Sequence, residues 1–163
     1  MGSILPLAMI LFLMLSVSSV TADGLLWQWK GKVVKEAPKK GLPDEIARFL
    51  HSHLHAGDTV QPLDWTSGAV HALWLARAPL ATRFVYDFHF YHHVSHPYII
   101  RLRREFIEAI TSGKPRFIVD ITGDRAWPNG IDTTREFPEL KSFMECNYAT
   151  VSTGMNYRIL ERK

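Results

Sequence analysis

The chain has 163 residues, a net charge of +3 and one cysteine, Cys146. A single cysteine excludes an internal disulfide and a CxxC metal site, and the roughly 140 residues after residue 22 suffice for one domain with one core. The charge is mild, and much of it comes from lysines between residues 30 and 40, which suit lipid head groups better than nucleic acid.

Residues 1–22 carry no charged side chain and include a dense apolar run from Ile4 to Leu15. This length is close to what a helix needs to cross a bilayer. Three interpretations stay open: a cleaved signal peptide, an uncleaved single anchor, or the last membrane helix of a larger polytopic protein. The sequence Val20-Thr21-Ala22 suits a cleavage site, but the start of the chain has no Lys or Arg. The following lysines favour a cytoplasmic location of the domain, unless earlier helices set the topology.

Residues 23–42 are predicted to form a linker, with Trp27 and Trp29 suited to a membrane interface. A domain of residues 43–163 follows. Its first helix begins at Pro43 and stops before Gly57, and a strand is predicted at Thr59–Leu63. The next helix, Gly68–Ala78, is apolar in nearly every direction, which predicts burial on both sides and a partner beyond the domain.

The remaining segments alternate between strand and helix patterns. The predicted elements are a strand at Ala81–Tyr86, a helix at Pro97–Ser112, a strand at Arg116–Ile121, a short helix at Pro138–Glu145, and a closing hairpin of Tyr148–Val151 and Tyr157–Leu160. Such alternation is typical of a parallel sheet between helices. We therefore predict a three-layer, Rossmann-like α/β domain with a mainly parallel sheet and a C-terminal hairpin, preceded by one transmembrane helix.

Ligands of open parallel sheets bind beyond the carboxyl ends of the strands. The three predicted strands end at Asp64, Asp87 and Asp120, and an aromatic, histidine-rich loop follows the second one. The candidate substrate-binding residues are Asp64, Trp65, Arg83, Asp87, His89, His92, His93 and Arg103. Carboxylates and imidazoles could bind a divalent metal ion, but strand-end acids more often cap helices or turns. We assign no metal ligand, catalytic residue or cofactor, and the lone glycine of the first turn argues against dinucleotide binding.

Two of these candidates have competing interpretations. The pair Asp64-Trp65 suits contact with a carbohydrate, although a tryptophan after a strand is more often a core residue. Arg103 falls on the apolar arc of its helix, where a guanidinium needs an acidic partner. A structural ion pair of Arg103 with Asp87 or Asp120 is the main prediction, and contact with a bound anion is the alternative.

The order of segments resembles a known family. It consists of the apolar helix, Asp44–Leu54, Gly57-Asp58-Thr59-Val60, Arg83–Tyr86, the helix Arg101–Ile110, Pro115–Asp120, Phe137-Pro138-Glu139-Leu140, Asn147-Tyr148 and Tyr157–Arg162. This order resembles the C-terminal extracytoplasmic portion of bacterial polytopic GT-C-type glycosyltransferases, similar to protein mannosyltransferases and aminoarabinose transferases. The resemblance is a diffuse pattern over nearly the whole chain.

The resemblance implies the terminal domain of an enzyme that transfers a sugar from a polyprenyl-phosphate donor. The catalytic acid of such enzymes lies in an early loop that no segment here matches, so the domain would be an accessory one that completes a substrate cleft. Its expected partners are membrane lipid, the donor and the rest of a polytopic protein, with no nucleic acid. Its expected location is the inner (cytoplasmic) membrane, with the domain on the extracytoplasmic side.

Two alternatives need no glycosyltransferase. In the first alternative, the chain is a secreted or membrane-anchored α/β binding module that uses a rim of histidines and aspartates, with or without a metal ion. In the other alternative it is a structural interaction domain that packs the helix Gly68–Ala78 against a partner.

Overall fold

A computed structural model describes residues 41–65, 68–123, 125 and 127–163. The elements in chain order are α1 (Leu42–His53), β1 (Val60–Leu63), α2 (Gly68–Ala76), a 3₁₀ helix (Phe88–Tyr91), α3 (Pro97–Gly113), β2 (Phe117–Ile121), α4 (Pro138–Asn147), β3 (Tyr148–Thr153) and β4 (Tyr157–Arg162). The helices begin where the sequence places favourable first-turn residues. In α1, for example, Pro43 lies in the first turn and the Asp44 side chain accepts a hydrogen bond from the Gly41 N–H at 2.9 Å.

The four strands form one mixed sheet in the order β1-β2-β4-β3. Strands β1 and β2 are parallel, with Val60 opposite Phe117. The other two pairs are antiparallel, and β3 has an irregularity between Thr150 and Ser152. The prediction of a Rossmann-like, mainly parallel sheet is therefore wrong. The closing hairpin exists, but its second strand lies beside β2 and makes most of the sheet antiparallel.

The predicted strand at Ala81–Tyr86 is also absent from the sheet. This part of the chain meets β1 only briefly, because the Val60 N–H bonds to Pro79 O and the Ala81 N–H bonds to Val60 O, at 2.8 and 2.9 Å. Beyond that point side chains replace the ladder. The buried Gln61 amide donates to Phe84 O and accepts from the Thr82 hydroxyl, both at 2.7 Å. Phe84 of this segment is buried in the core, whereas its other residues are half-buried or exposed, and the segment forms no strand despite its β-branched and aromatic residues.

Each face of the sheet contributes to a separate core. Alternate residues of β2 point to opposite sides, as expected for a strand. Val119 joins the core formed with α1 and α2, which includes Ile46, Leu50 and Leu73. Ile118 joins the core beneath α3 and α4, a cluster rich in phenylalanine and tyrosine.

Helix α2 is buried on one side only. Ala69, Ala72 and Leu73 are buried, whereas Trp74 is 74 % exposed and Leu75 is also exposed. The helix ends at Ala76, ahead of the predicted Ala78, and Arg77 adopts a left-handed conformation with φ of 52°. The domain itself therefore leaves one side of this helix uncovered among the described residues.

The predicted transmembrane or signal segment, residues 1–22, lies outside the described residues, as does almost all of the predicted linker. Within the ranges that the structure describes, none of the helices combines the length and apolarity needed to cross a membrane. The predicted membrane location, with the domain held on the extracytoplasmic side, is accordingly corrected: the structure gives it no support.

Candidate functional site

A cavity of about 280 Å³ opens at the carboxyl ends of β1 and β2. Residues from both strands, from the 3₁₀ helix, from the loop after β2, from α4 and from β4 line it. The two parallel strands thus create the kind of edge where ligands of α/β sheets gather. This part of the sequence-based prediction describes the position of the cavity, even though most of the sheet is antiparallel.

Arg125 lies at the floor of the cavity, with only 8 % of its side chain exposed. Its guanidinium forms ion pairs with Asp87 at 3.2 Å and with Asp120 at 2.8 Å. It also donates to the backbone carbonyls of Leu63 and Ile121. The Asp120 carboxylate accepts a further bond, at 2.8 Å, from Nε of Arg158 on β4. We call Asp87, Asp120, Arg125 and Arg158 the ion cluster.

Asp87 is the member of the ion cluster whose charge is least well compensated. It is 2 % exposed, and only its Oδ2 contacts Arg125. Its Oδ1 has no hydrogen-bond partner among the described residues. Burial raises the pKa of Asp87 to about 6, with the Asp120 charge adding to the rise and Arg125 opposing it. An unpaired buried carboxylate oxygen is costly, so this atom is a natural contact for a ligand.

Three aromatic rings surround the buried guanidinium. Trp65, Tyr91 and Trp127 lie with their ring centroids 5.0–5.5 Å apart. The Arg125 guanidinium lies 5.7 Å from the ring centroids of both tryptophans, within the range of a cation–π contact. Burial, followed by the nearby Asp87 charge, raises the pKa of Tyr91, so its hydroxyl stays protonated. The rings thereby shield the ion cluster from water on one side.

The mouth of the cavity carries more positive than negative charge. Of the described residues, Arg135, Lys141 and Arg158 line it together with Glu136, and the other lining acids, Asp87 and Asp120, lie deeper in the ion cluster. Arg135 lies over the Trp127 ring at 5.8 Å. Neither Arg135 nor Lys141 forms an ion pair within the described part of the chain. These two exposed cations are therefore available to a ligand.

Of the residues predicted at the site, only Asp87 lines this cavity, with Trp65 next to it. Asp64 is fully buried and caps α2, because its Oδ2 accepts the Ala69 N–H at 2.8 Å. Arg83 lies elsewhere: its side chain is 71 % exposed and pairs with Glu105 at 2.7 Å.

The three predicted histidines also lie away from the cavity. His89 is half-buried beside the Phe90 ring, and burial lowers its pKa. His92 forms an isolated bridge with Thr133, and His93 is exposed, with a φ of 49°. Among the described residues no three histidine, cysteine or acidic side chains are grouped so that they could bind a metal ion. The metal-dependent form of the binding-module alternative therefore has no support.

Arg103 does not form the predicted pair with Asp87 or Asp120. Its Nη2 donates to the backbone carbonyl of Glu136, and its guanidinium lies 4.1 Å from the Phe137 ring centroid. Arg125 takes the predicted role instead. The sequence contained a signal for this, because two carboxylates at strand ends require a nearby cation and Arg125 closely follows the second of them.

Comparison with known proteins finds no significant match: no family model, no curated protein sequence and no solved structure is similar to the chain. The class that the fold and site define is a mixed α/β domain with a buried ion cluster beneath a positively charged cavity. The resemblance to GT-C-type glycosyltransferases, with the donor and partners that it implies, stays a prediction.

Proposed function

We propose that the domain is a small-molecule binding module whose ligand carries a phosphate, sulfate or carboxylate group. The ligand occupies the cavity at the carboxyl ends of β1 and β2. The observation that carries this proposal is the pair of exposed cations at the mouth, Arg135 and Lys141, which form no ion pair within the described part of the chain.

The charges of the cavity favour an anion. The ion cluster is neutral when all four groups are ionised, since it contains two guanidiniums and two carboxylates. Around it, Arg135 and Lys141 outnumber Glu136, which leaves one net positive charge facing the cavity when the described residues are counted. Guanidinium and ammonium groups form strong, charge-assisted hydrogen bonds with phosphate and carboxylate oxygens.

The size and walls of the cavity favour a small ligand. A volume of about 280 Å³ lies at the lower end for small-molecule sites. Trp127, Leu140 and Met144 provide apolar walls next to the polar floor. A few polar groups among apolar walls are the usual composition of such sites.

The test is calorimetric titration of the full chain with sulfate, inorganic phosphate and acetate at low ionic strength. We expect saturable binding of at least one anion at one site. Lys141→Ala and Arg135→Ala should each weaken it by about tenfold, because each removes one charge-assisted hydrogen bond.

Arg48→Ala provides the matched control, since Arg48 is an exposed arginine on α1, at the other face of the sheet. Binding should be unchanged in this variant. No saturable binding of any of the three anions, or equal losses in the Arg48 and Lys141 variants, would contradict the proposal.

A further inference from the structure

We propose that the cavity takes up one proton together with its anion, and that Asp87 holds this proton as a carboxylic acid next to the ligand. The inference rests on the proposed anion binding and adds a pH-dependent control of the same site. The geometry that carries it is a pair of buried carboxylates that share one guanidinium, and one oxygen of Asp87 has no hydrogen-bond partner among the residues that the structure describes.

The two carboxylates of the ion cluster are held unequally. Asp120 accepts hydrogen bonds from both Arg125 and Arg158, each at 2.8 Å. Asp87 has a single, longer side-chain contact with Arg125 at 3.2 Å, and its Oδ1 has no partner among the described residues. When one carboxylate of the cluster becomes protonated, Asp87 is the favoured one, because its protonation disturbs fewer hydrogen bonds than protonation of Asp120 does.

Binding of an anion favours protonation of one carboxylate in the ion cluster. The charged side chains that line the cavity in the described part of the chain sum to one positive charge, so a sulfate dianion leaves one excess negative charge that repels the carboxylates of the ion cluster. In a low-dielectric site this repulsion is large, and binding a proton at one carboxylate removes it.

Protonation also changes the hydrogen-bonding capacity of Asp87. As a carboxylate, its Oδ1 can only accept a hydrogen bond and therefore repels an anionic oxygen. As a carboxylic acid, Asp87 donates one O–H, and a hydrogen bond from an O–H to an anion is short and strong. Protonation thus turns a group that repels the anion into one that donates a hydrogen bond to it.

The surrounding groups support this assignment. The charged and titratable groups that lie around Asp87 on the neighbouring elements are Tyr91 on the 3₁₀ helix, Asp120 on β2, Arg125 after β2 and Arg158 on β4. The Asp87 N–H also bonds to the backbone carbonyl of Asp64, which follows β1. Arg135, Glu136 and Lys141 face it across the cavity. Asp64 has its own backbone donor in α2, and Tyr91 stays protonated.

The free protein already holds Asp87 close to the protonation midpoint. Burial raises its pKa to about 6. At pH 7 the need to protonate Asp87 therefore lowers the affinity for the ligand only about tenfold. A ligand that needs the protonated form should therefore bind with constant affinity below pH 6. Above pH 6 its affinity should fall by up to about tenfold per pH unit.

The experiment is calorimetric titration of the full chain with sulfate, which does not itself titrate between pH 5 and pH 8. Titrations at pH 7.5 in two buffers of different ionisation enthalpy report the number of protons taken up on binding. We expect nearly one proton at pH 7.5 and nearly none at pH 5, where Asp87 is already protonated. This measurement needs no variant, so it holds even if a substitution at Asp87 prevents folding.

The Asp87→Asn variant tests the assignment to Asp87. Its amide is neutral and donates a hydrogen bond, so it imitates the carboxylic acid. The variant should bind sulfate at pH 7.5 as tightly as the unmodified protein does at pH 5, without proton uptake. The control is His89→Gln, which removes the half-buried histidine two residues after Asp87 and should leave the proton uptake unchanged.

Sulfate binding without proton uptake at pH 7.5 would overturn this inference and leave the proposed function standing. Proton uptake that persists in Asp87→Asn, or disappears in His89→Gln, would also overturn it. Failure to bind sulfate at any pH, with phosphate and acetate also inactive, would overturn both proposals together.

Discussion

The two ends of β2 carry the same arrangement of charges in opposite environments. At its start, Arg116 pairs with Asp58 at 2.7 Å and with Glu161 at 3.1 Å, and 22 % of the Arg116 side chain is exposed. Beyond its end, Arg125 pairs with Asp87 and Asp120 but is almost fully buried. In each place one guanidinium joins two carboxylates from different segments of the chain.

The pKa values of the two ends move in opposite directions. Asp58 has its pKa lowered, mainly by the hydrogen bond from the His55 N–H and then by Arg116. Asp87 has its pKa raised, because the loss of water outweighs the attraction of Arg125. Burial therefore decides whether an arginine keeps a carboxylate charged or only reduces the cost of burying it.

The largest expected effect comes from removing the buried arginine. Arg125→Met leaves two carboxylates without their shared cation, and loss of one partner in a buried ion pair costs about 3–5 kcal/mol of folding free energy. Urea unfolding followed by circular dichroism measures the change. Arg116→Met is the matched variant at the exposed end and should lower the midpoint far less. Equal losses in the two variants would show that burial does not distinguish the two ends.

The second prediction concerns the pH dependence of stability. The pKa of Asp87 is about 6 in the folded protein and near 3.8 in the unfolded chain, so the folded state binds the proton more tightly. The stabilisation that comes from this raised pKa is fully present below pH 4 and is lost as the pH rises to about 6. The free energy of unfolding should fall by about 2–3 kcal/mol over this range.

Asp87→Asn lacks this loss, so the difference in unfolding free energy between the two proteins should change between pH 4 and pH 6. Thermal unfolding at half-unit pH steps measures it. A difference that stays constant over that range would mean that Asp87 titrates normally and that its burial has no electrostatic consequence.

Arg103 is an arginine without an acidic partner at hydrogen-bond distance among the described residues. Arg103 donates to the Glu136 carbonyl and lies over the Phe137 ring. Arg103→Met should lower the free energy of unfolding by about 1 kcal/mol, because it removes one hydrogen bond and one cation–π contact but leaves no buried carboxylate without its cation. Arg104→Met, on the exposed side of the same helix, should change the unfolding midpoint little. A loss as large as that of Arg125→Met would point to a hidden acidic partner.

The smallest effect is expected at the exposed end. Asp58→Asn removes a carboxylate whose pKa is lowered, so the stabilisation it provides is present at neutral pH and is lost as the pH falls through that lowered value. The variant should therefore differ slightly from the unmodified protein at pH 7 and converge with it in acid. This trend is opposite to that of Asp87→Asn, and a parallel trend would contradict the comparison.

The sequence predicted elements with local signals well. Helices α1, α3 and α4 each have Pro in the first turn, and β1 and β2 lie in short runs of apolar residues. The position of β4 beside β2 depends on pairing between distant segments, which no local pattern reports. The segment 81–86 failed for a related reason: Gln61 donates to the Phe84 carbonyl and Thr82 accepts from the Phe84 N–H, so side chains satisfy the backbone although the local composition is that of a strand.

The site was predicted in part for similar reasons. Asp87 and Trp65 follow from the rule that ligands gather at strand ends. Arg103 was singled out because helical periodicity places it on a face, but periodicity cannot state which carboxylate lies within reach. Arg125 lies in a loop, where no periodicity singles out a residue, so only the demand of the buried acids for a cation could have identified it.

The central position of β4 has a consequence for synthesis of the chain. Residues 157–162 separate β2 from β3, so the strands translated before them have no direct neighbour on that side. Until these residues leave the ribosome, β2 keeps an open edge of unpaired N–H and C=O groups next to an apolar face. A nascent chain in this state offers a template for pairing with another copy. We expect newly made chains to depend on chaperone protection until β4 emerges.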